Sequence, residues 1–256
     1  MHRLDGDVAL IEYRAISKSF GPKLVLDGVS LTIRDGEVTY VIGASGQGKS
    51  VLVKHAVGLL SPDSGRVLID GTDVTDFTEA QWRPIRIRYV LVFQHSTLFD
   101  SMTLRDNVAL PLRKHRGMSR REALDGAMEY LRMVAMDAKA DMMPSEVGPS
   151  QRKRVAIARA LTLSPDCAIL DEPTTGLDVV ASANVDGMIA HLARDLGKTV
   201  VVVSHDLRSI FGVADRIVFL YKGNVWLDAP PAGFRESRDP VVRQFIRGEP
   251  TGPMET

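Results

Sequence analysis

A glycine-rich segment in the first fifth of the sequence has the composition and spacing of a phosphate-binding loop. Residues 43–50 fit the pattern GxxxxGKS and directly follow the apolar stretch Val38–Ile42. Glycine lets the backbone wrap around a phosphate so that its N–H groups donate hydrogen bonds, and a helix N-terminus adds positive potential. The residues expected to line this site are Gly43, Ala44, Ser45, Gly46, Gln47, Gly48, Lys49, Ser50 and Val51.

Two side chains of this segment have specific predicted tasks. We expect Lys49 to reach the terminal phosphates and Ser50 to be a ligand of Mg²⁺. The plain alternative is a chance glycine-rich turn in front of a helix. The strand-like residues before the segment and the helical residues after it supply the context that the motif requires, which favours a phosphate site.

A pair of carboxylates ends a second apolar stretch. Cys167–Leu170 is followed by Asp171 and Glu172. A strand buried on both faces would hold Asp171 rigidly at its carboxyl end, where it can hold the metal through water. Glu172 would then polarise the attacking water as a general base. Such a pair also occurs at solvent-facing sheet edges, but the phosphate loop upstream and the segment Pro173–Asp178 downstream favour the catalytic interpretation.

Two further polar residues follow strand-like runs. His205 comes after an apolar run that ends at Val203, and Gln94 closes the run Ile87–Phe93. Either residue alone is more often structural. In the company of a phosphate loop, we expect His205 to contact the γ-phosphate or hold the attacking water. We expect Gln94 to sense Mg²⁺ or water as a metal ligand and to report it to the helical part of the chain.

Composition excludes several classes of protein. Lysine plus arginine balance aspartate plus glutamate at 32 each, so there is no overall basic field for nucleic acid, and no nucleic-acid partner is expected. The single cysteine, Cys167, rules out an intramolecular disulfide and fits a reducing compartment. Met1–Glu12 lacks the apolar stretch of a signal peptide. No apolar run approaches the roughly 18 residues of a membrane span, so we expect any work at a membrane to need a partner.

The elements that must position these residues alternate between strand and helix. This alternation predicts an α/β fold whose mostly parallel core sheet is covered on both faces. Val8–Ile16 and Val25–Ile33, joined by a turn around Gly21, predict an antiparallel β flap in front of it. The core strands are expected at Val38–Ile42, Ile87–Phe93, Cys167–Leu170, Thr199–Val203 and Ile217–Tyr221.

Helical patterns fill the middle and the end of the chain. Ser119 and Glu122 form a capping-box pattern within a stretch that reads as an inserted helical lobe. Asp239 and Pro240 start a short helix that stops at Gly248. We expect one nucleotide-binding domain over residues 8–256. Its predicted parts are a RecA-like core with the β flap (8–97 and 155–235), a helical subdomain (98–154) and a carboxy-terminal extension (236–256).

From about residue 11 to the end, the chain resembles the nucleotide-binding subunits of ABC transporters. The resemblance implies a P-loop NTPase fold, hydrolysis of ATP, and ATP and Mg²⁺ as cofactors. Phe20 matches the aromatic residue that stacks on adenine, although a core phenylalanine is the alternative. Asp178 matches an aspartate that acts across a head-to-tail dimer, so the resemblance implies an ATP sandwich with a second copy of this chain.

Residues 93–112 and 239–248, with Gly252-Pro253 beyond, more narrowly resemble the ATPases of Mla/Mce-associated lipid transporters. This resemblance implies phospholipid transport from a position on the cytoplasmic face of the inner membrane. The partners that it implies are a permease of the MlaE type, an Mce-type lipid-binding protein and a small regulatory subunit. Two alternatives stay open: a nucleotide-gated regulatory subunit with weak hydrolysis, and an ABC transporter ATPase for another cargo.

One segment departs from the family pattern. Where the family has a signature close to Leu-Ser-Gly-Gly-Gln, this chain has Val147–Gln151, hereafter the signature segment. In the family, the signature grips the γ-phosphate bound to the opposite subunit, a role that falls here to Gly148, Ser150 and Gln151. Gly148 has no hydroxyl and Pro149 has no N–H, so two donors are missing. Either the Ser150 hydroxyl substitutes from a shifted position, or ATP binds while turnover is slow or needs a partner with a regular signature.

Three surface features have alternative interpretations. Leu98 and Phe99 are expected to line a groove for a coupling helix of the permease, with core packing as the alternative. The basic residues between 113 and 121 suit anionic lipid headgroups or a plain solvated face. Phe245 and Ile246 suit packing on the chain's own surface or on the dimer mate.

Overall fold

The computed structural model describes residues 9–95 and 97–254. Val8, the first residue of the predicted flap, lies outside the described residues. The same holds for residues 1–7, which belong to the segment without a signal-peptide pattern, and for residues 255–256 of the predicted extension. Within the described ranges, no helix combines the length and apolarity needed to cross a membrane.

A six-stranded sheet forms the centre of the molecule, with the strand order β10-β9-β3-β8-β7-β6. All neighbouring pairs are parallel except β10 and β9. Every residue of β3, β7 and β8 is buried, which explains why these strands are mostly apolar in the sequence, with Thr39, Asp171 and Thr199 as buried polar exceptions. The strands are β3 (Val38–Ile42), β6 (Tyr89–Val92), β7 (Cys167–Asp171), β8 (Thr199–Val203), β9 (Arg216–Tyr221) and β10 (Asn224–Ala229).

A second, antiparallel sheet has the order β2-β1-β4-β5. Its strands are β1 (Ala9–Phe20), β2 (Lys23–Arg34), β4 (Ser64–Ile69) and β5 (Thr72–Asp73). The predicted flap corresponds to β1 and β2, in which Tyr13 pairs with Leu31. The strands β4 and β5, which follow the phosphate loop in the chain, complete this sheet and were not predicted.

Nine α-helices surround the sheets in the described part of the chain. They are α1 (Lys49–His55), α2 (Glu79–Arg88), α3 (Leu104–Arg116), α4 (Arg120–Met133), α5 (Pro149–Leu161), α6 (Val179–Arg194), α7 (Leu207–Val213), α8 (Pro231–Arg235) and α9 (Pro240–Arg247). The predicted start of α4 is correct, since Ser119 Oγ accepts from the Glu122 N–H at 3.3 Å and Glu122 Oε2 accepts from the Ser119 N–H at 2.9 Å. Helix α9 begins and ends as predicted, with Asp239 as N-cap and Gly248, at φ 63°, as C-cap.

Several predicted strand boundaries differ from the structure, most of them by one or two residues. The strand expected from Ile87 begins at Tyr89, because Ile87 and Arg88 belong to α2, a helix that continues past an internal proline. Helix α5 begins within the signature segment at Pro149, because a proline at the first helical position needs no hydrogen bond to its missing N–H.

The core consists of two apolar clusters, one on each face of the main sheet. Alternate residues of β3 divide between them, with Tyr40 in one cluster and Val41 in the other. The Tyr40 cluster joins the sheet to helices α3–α9, and the Val41 cluster joins it to α1, α2 and the antiparallel sheet. The Phe245 ring lies 5.0 Å from the ring of Phe219, so the carboxy-terminal helix packs on the chain's own core.

Candidate functional site

The strand order brings the predicted site residues to one edge of the main sheet. Strands β3, β8, β7 and β6 are parallel neighbours, so the loops that follow them meet at the same edge. A cleft of about 620 Å³ lies there. It is lined by the phosphate loop together with Phe20, Val25, Val51, Gln94, Glu172, His205 and Phe245.

The phosphate loop, Gly43–Ser50, requires glycine at two positions, because neighbouring atoms leave no room for a Cβ there. Gly43 has a φ of 149°, and a Cβ there would lie 2.4 Å from the carbonyl oxygen of Leu220. Gly48 has a φ of 87°, and a Cβ there would lie 2.7 Å from Leu26 Cδ2. Both contacts are too short for any side chain, so the loop conformation is set by close approach to its neighbours.

Lys49 is held inside this loop. Its side chain is buried, and Nζ donates to the carbonyl oxygens of Gly43 and Ala44 at 2.9 Å each. Burial lowers the pKa of the Lys49 ammonium, while the carboxylates of Glu172 and Asp171 act in the opposite direction. The ammonium therefore lies beside the loop amides, where a phosphate chain would be bound.

Ser50 and Asp171 form a ready pair of oxygen ligands. Ser50 Oγ donates to Asp171 Oδ1 at 2.9 Å, and burial raises the pKa of the Asp171 carboxyl against the opposing effect of this hydrogen bond. Mg²⁺ prefers one or two oxygen ligands from the protein and takes the others from phosphate and water. The described residues contain no group of three or more His, Cys, Asp or Glu that could form an all-protein cage. The donor set therefore fits a nucleotide-bound Mg²⁺.

Glu172 is fixed from several directions. Its φ of 52° lies in the left-handed region, which costs a residue other than glycine about 1–3 kcal/mol. Its N–H donates to the Val203 carbonyl oxygen at 2.9 Å, and Oε2 accepts from Thr175 Oγ1 at 2.7 Å. His205 Nδ1 lies 3.1 Å from Oε1. The buried carboxylate is therefore aimed into the cleft between a hydroxyl and an exposed imidazole.

Thr175 was not among the residues predicted for the site. Its only sequence signal is a hydroxyl three residues after Glu172, in a segment noted for its position alone. The structure also adds Val25 and Phe245 to the cleft lining. No pattern in the sequence connects Phe245 with the phosphate loop, because the two meet only through β9.

The remaining predicted residues of this cleft lie at its rim. Phe20 ends β1 with 47% of its surface exposed, which leaves a ring face open for stacking. Gln94 is exposed just beyond β6. Gln47 is turned away, with Oε1 accepting from the Lys222 N–H at 2.7 Å.

The signature segment and Asp178 do not line this cleft. Gly148 is the N-cap of α5, and its N–H donates to the Gln151 side chain at 3.2 Å. Since Pro149 has no N–H, the first helical residue with a backbone donor is Ser150. Asp178 caps α6 by accepting from the Ala181 N–H at 2.8 Å.

Comparison with known proteins gives consistent results. The family model described as ABC transporter matches residues 26–175. The probable ribonucleotide transport ATP-binding protein mkl of Mycobacterium tuberculosis is 37% identical over 244 residues, which are 95% of this chain and 68% of that protein. The intermembrane phospholipid transport system ATP-binding protein MlaF of Escherichia coli K12 is 34% identical over 245 residues, which are 96% of this chain and 91% of that protein.

A solved structure is similar in fold as well as in sequence. It is the dimeric post-hydrolysis state of the ATP-binding cassette MJ0796 bound to ADP and Pi, with a TM-score of 0.81 and 33% identity. The match covers 86% of this chain and 98% of that one.

Proposed function

Because this chain belongs to the ABC transporter family, as one of its ATP-binding subunits, we propose that it drives phospholipid transport through a permease in the inner membrane. It is an ATPase of the ABC type that uses ATP with Mg²⁺. The observation that carries the enzymatic part is the assembly of Lys49, Ser50–Asp171 and Glu172 at one sheet edge. The choice of phospholipid is supported by the likeness to MlaF over 91% of that protein.

Hydrolysis follows from positions and charges in the cleft. The loop amides and Lys49 hold the phosphate chain, and Phe20 supports the base. Ser50 and Asp171 would hold Mg²⁺, which neutralises charge on the phosphate oxygens when bound. Glu172 accepts a proton from the attacking water, since Thr175 and His205 fix both oxygens of its carboxylate. Gln94, at the rim, links this water to the helical part of the chain.

The domain organisation that we propose follows the predicted boundaries. Residues 8–97 and 155–235 form the core with the flap, 98–154 the helical subdomain and 236–256 the extension. Two copies pair head to tail, so that Gly148, Ser150, Gln151 and Asp178 of one copy face the nucleotide of the other. The dimeric arrangement of MJ0796 supports this proposal.

A groove beside Gln94 suits the permease partner. It has a volume of about 480 Å³ and includes Leu98 and Phe99, the latter 48% exposed. Arg159 lies over the Phe99 ring at 5.6 Å, and its Nη2 donates to the Thr97 carbonyl oxygen at 2.8 Å. An apolar floor with cationic neighbours supports the docking of an amphipathic helix from a permease of the MlaE type. We propose that the chain works on the cytoplasmic face of the inner membrane. An Mce-type lipid-binding protein and a small regulatory subunit complete the proposed complex.

The signature segment supports a second candidate function. Gly148 and Pro149 lack the hydroxyl and the N–H that would grip a γ-phosphate, so the chain suits a regulatory subunit that closes on ATP with weak hydrolysis. ATP turnover of the isolated chain beside its Glu172→Gln variant separates the two functions. A native rate that exceeds the variant's rate at least tenfold supports the enzyme, and equal rates support the regulatory subunit.

The cargo is tested by purifying the chain with its native membrane partners and identifying the bound molecules by mass spectrometry. We expect a co-purified permease carrying phospholipid, and ATP turnover that rises when the complex is reconstituted in phospholipid vesicles. Recovery of another cargo, such as the ribonucleotide named for mkl, would replace the phospholipid proposal and leave the ATPase intact.

A further inference from the structure

Lys153 is a buried cation next to the candidate general base. It lies in the second turn of α5, and only 6% of its surface is exposed. Its Nζ donates to the carbonyl oxygen of Glu172 at 2.7 Å and to that of Thr175 at 3.0 Å. Burial lowers the pKa of the ammonium, whereas the carboxylates of Glu172 and Asp171 act in the opposite direction. In the sequence, this residue stands out only as part of a basic helix.

The two carbonyl groups belong to the residues that shape the general base. Glu172 has the left-handed backbone described above, and its own N–H is already bound to Val203. Thr175 supplies the hydroxyl that holds Glu172 Oε2. Lys153 therefore fixes the backbone of the base and the backbone of its hydroxyl partner with one ammonium group, and hydrogen bonds from a charged donor are stronger than neutral ones.

Lys153 also lies close to the signature segment, because both belong to the start of α5. Lys153 follows Ser150 by three positions in α5, so the two side chains are neighbours on the helix surface. Because the two residues lie within one turn of α5, a displacement of Ser150 also displaces the backbone of Lys153. The same short helix segment thus contacts the partner's nucleotide in the proposed dimer and the catalytic glutamate of its own chain.

We propose that Lys153 is a positioning residue for ATP hydrolysis, which transmits the position of the signature segment to Glu172 of the same chain. The proposal rests on the proposed role of Glu172 as general base. It predicts that loss of the ammonium lowers the rate of hydrolysis and leaves nucleotide affinity nearly unchanged, because Lys153 does not line the cleft.

The test measures kcat, KM and the Kd for Mg-ATP in the full chain with Lys153→Met, which keeps the apolar stem, and with Lys153→Arg, which keeps the charge. We expect Lys153→Met to lower kcat about 10- to 100-fold, with KM and Kd changed less than about threefold, as for the loss of a hydrogen bond to a charged group. Lys153→Arg is expected to recover at least about fivefold of the loss. The control Lys139→Met, at a half-buried lysine of the helical part, should stay within twofold of the native kcat.

Three outcomes overturn the proposal. They are a native kcat in Lys153→Met, an equal fall of kcat in the methionine and arginine variants, and a parallel rise of Kd with the fall of kcat. Lys153→Gln, with a neutral donor, replaces Lys153→Met under the same criteria if thermal unfolding shows that the methionine chain does not fold. Glu172→Gln is measured in parallel. If it keeps native turnover, the role of Glu172 fails. If it loses turnover while Lys153→Met does not, only the role of Lys153 fails.

Discussion

The phosphate loop and the signature segment are the two regions of this chain that would meet an ATP molecule, and they differ in how they are built. In the loop, Lys49 is buried and hydrogen-bonded, and Gly43 is pressed against the Leu220 carbonyl. In the signature segment, Gly148 and Pro149 are exposed, and the local hydrogen bonds include those from the Gly148 N–H to Gln151 and from Arg152 to the Val147 carbonyl. A side chain at Gly43 would therefore disturb β9, whereas a Cβ at Gly148 would meet nothing within 4 Å and would cost the fold little.

This difference separates two steps of the ATPase cycle. In the proposed mechanism, nucleotide binding depends on the loop, and closure on the partner depends on the start of α5. A chain can therefore keep full binding and still vary in turnover. The variants below test whether nucleotide binding and turnover change independently, and they are given in order of decreasing expected effect.

Removing the general base tests the loop side of the comparison. We expect Glu172→Gln to lower kcat about 10²- to 10⁴-fold, the range of general acid–base catalysis, while the Kd for Mg-ATP changes little. Steady-state turnover and calorimetric titration measure the two quantities. A variant that loses binding together with turnover would show that Glu172 acts on the nucleotide itself.

Rebuilding the family pattern tests the signature side. The triple change Gly148→Ser, Pro149→Gly and Ser150→Gly restores a hydroxyl and an N–H. Each bond to a charged group contributes about 1.5–3 kcal/mol, so turnover should rise about tenfold or more. Phosphate-release assays of native and triple variants at equal concentration measure this. An unchanged rate would mean that the Ser150 hydroxyl already donates to the γ-phosphate in place of the missing hydroxyl and N–H.

Removing one oxygen ligand tests the Mg²⁺ site. Ser50→Ala leaves Asp171 without its hydrogen bond, and we expect about a tenfold weaker Mg-ATP affinity, with a smaller loss for ATP in EDTA. Ser61→Ala, at an exposed serine outside the cleft, is the matched control. Equal losses with and without magnesium would contradict a role in holding the ion.

The smallest effect concerns stability of the helix behind the loop. Burial lowers the pKa of His55, whose Nδ1 bonds the Val51 carbonyl at 2.8 Å and whose Nε2 is buried without a partner. The unfolded chain therefore takes up a proton below about pH 6.5, where the folded chain does not, so stability falls as pH decreases. The slope is at most about 1.4 kcal/mol per pH unit. His55→Gln should flatten it in denaturant titrations between pH 7 and 5, whereas His115→Gln, at an exposed position, should not.

The sequence predicted the parts of this molecule that depend on local patterns. The largely apolar runs identified β3 and β8 with their correct bounds, because a strand buried on both faces is built mostly from apolar residues. The capping residues Ser119 and Asp239 marked the starts of α4 and α9 for an equally local reason. The α/β fold and the family are confirmed, and the roles of the individual site residues stay predictions.

Contacts between distant segments could not be predicted in this way. Strand β4 pairs with β1 although the phosphate loop separates them in the chain, β5 pairs with β4, and Phe245 lines the cleft while it packs on Phe219. Lys153 read as one more basic residue, since nothing in its neighbours reveals that its ammonium meets a carbonyl 19 positions away. Such pairings arise only when the whole sheet is assembled.

The left-handed backbone of Glu172 has a consequence for laboratory evolution. Glycine adopts this conformation without penalty, and asparagine does so more readily than glutamate. A library selected only for heat resistance should therefore accumulate the substitutions Glu172→Gly and Glu172→Asn, in chains that resist unfolding and no longer turn over ATP. Any such campaign on this protein needs a simultaneous screen for activity, because the residue with this backbone is also the proposed general base.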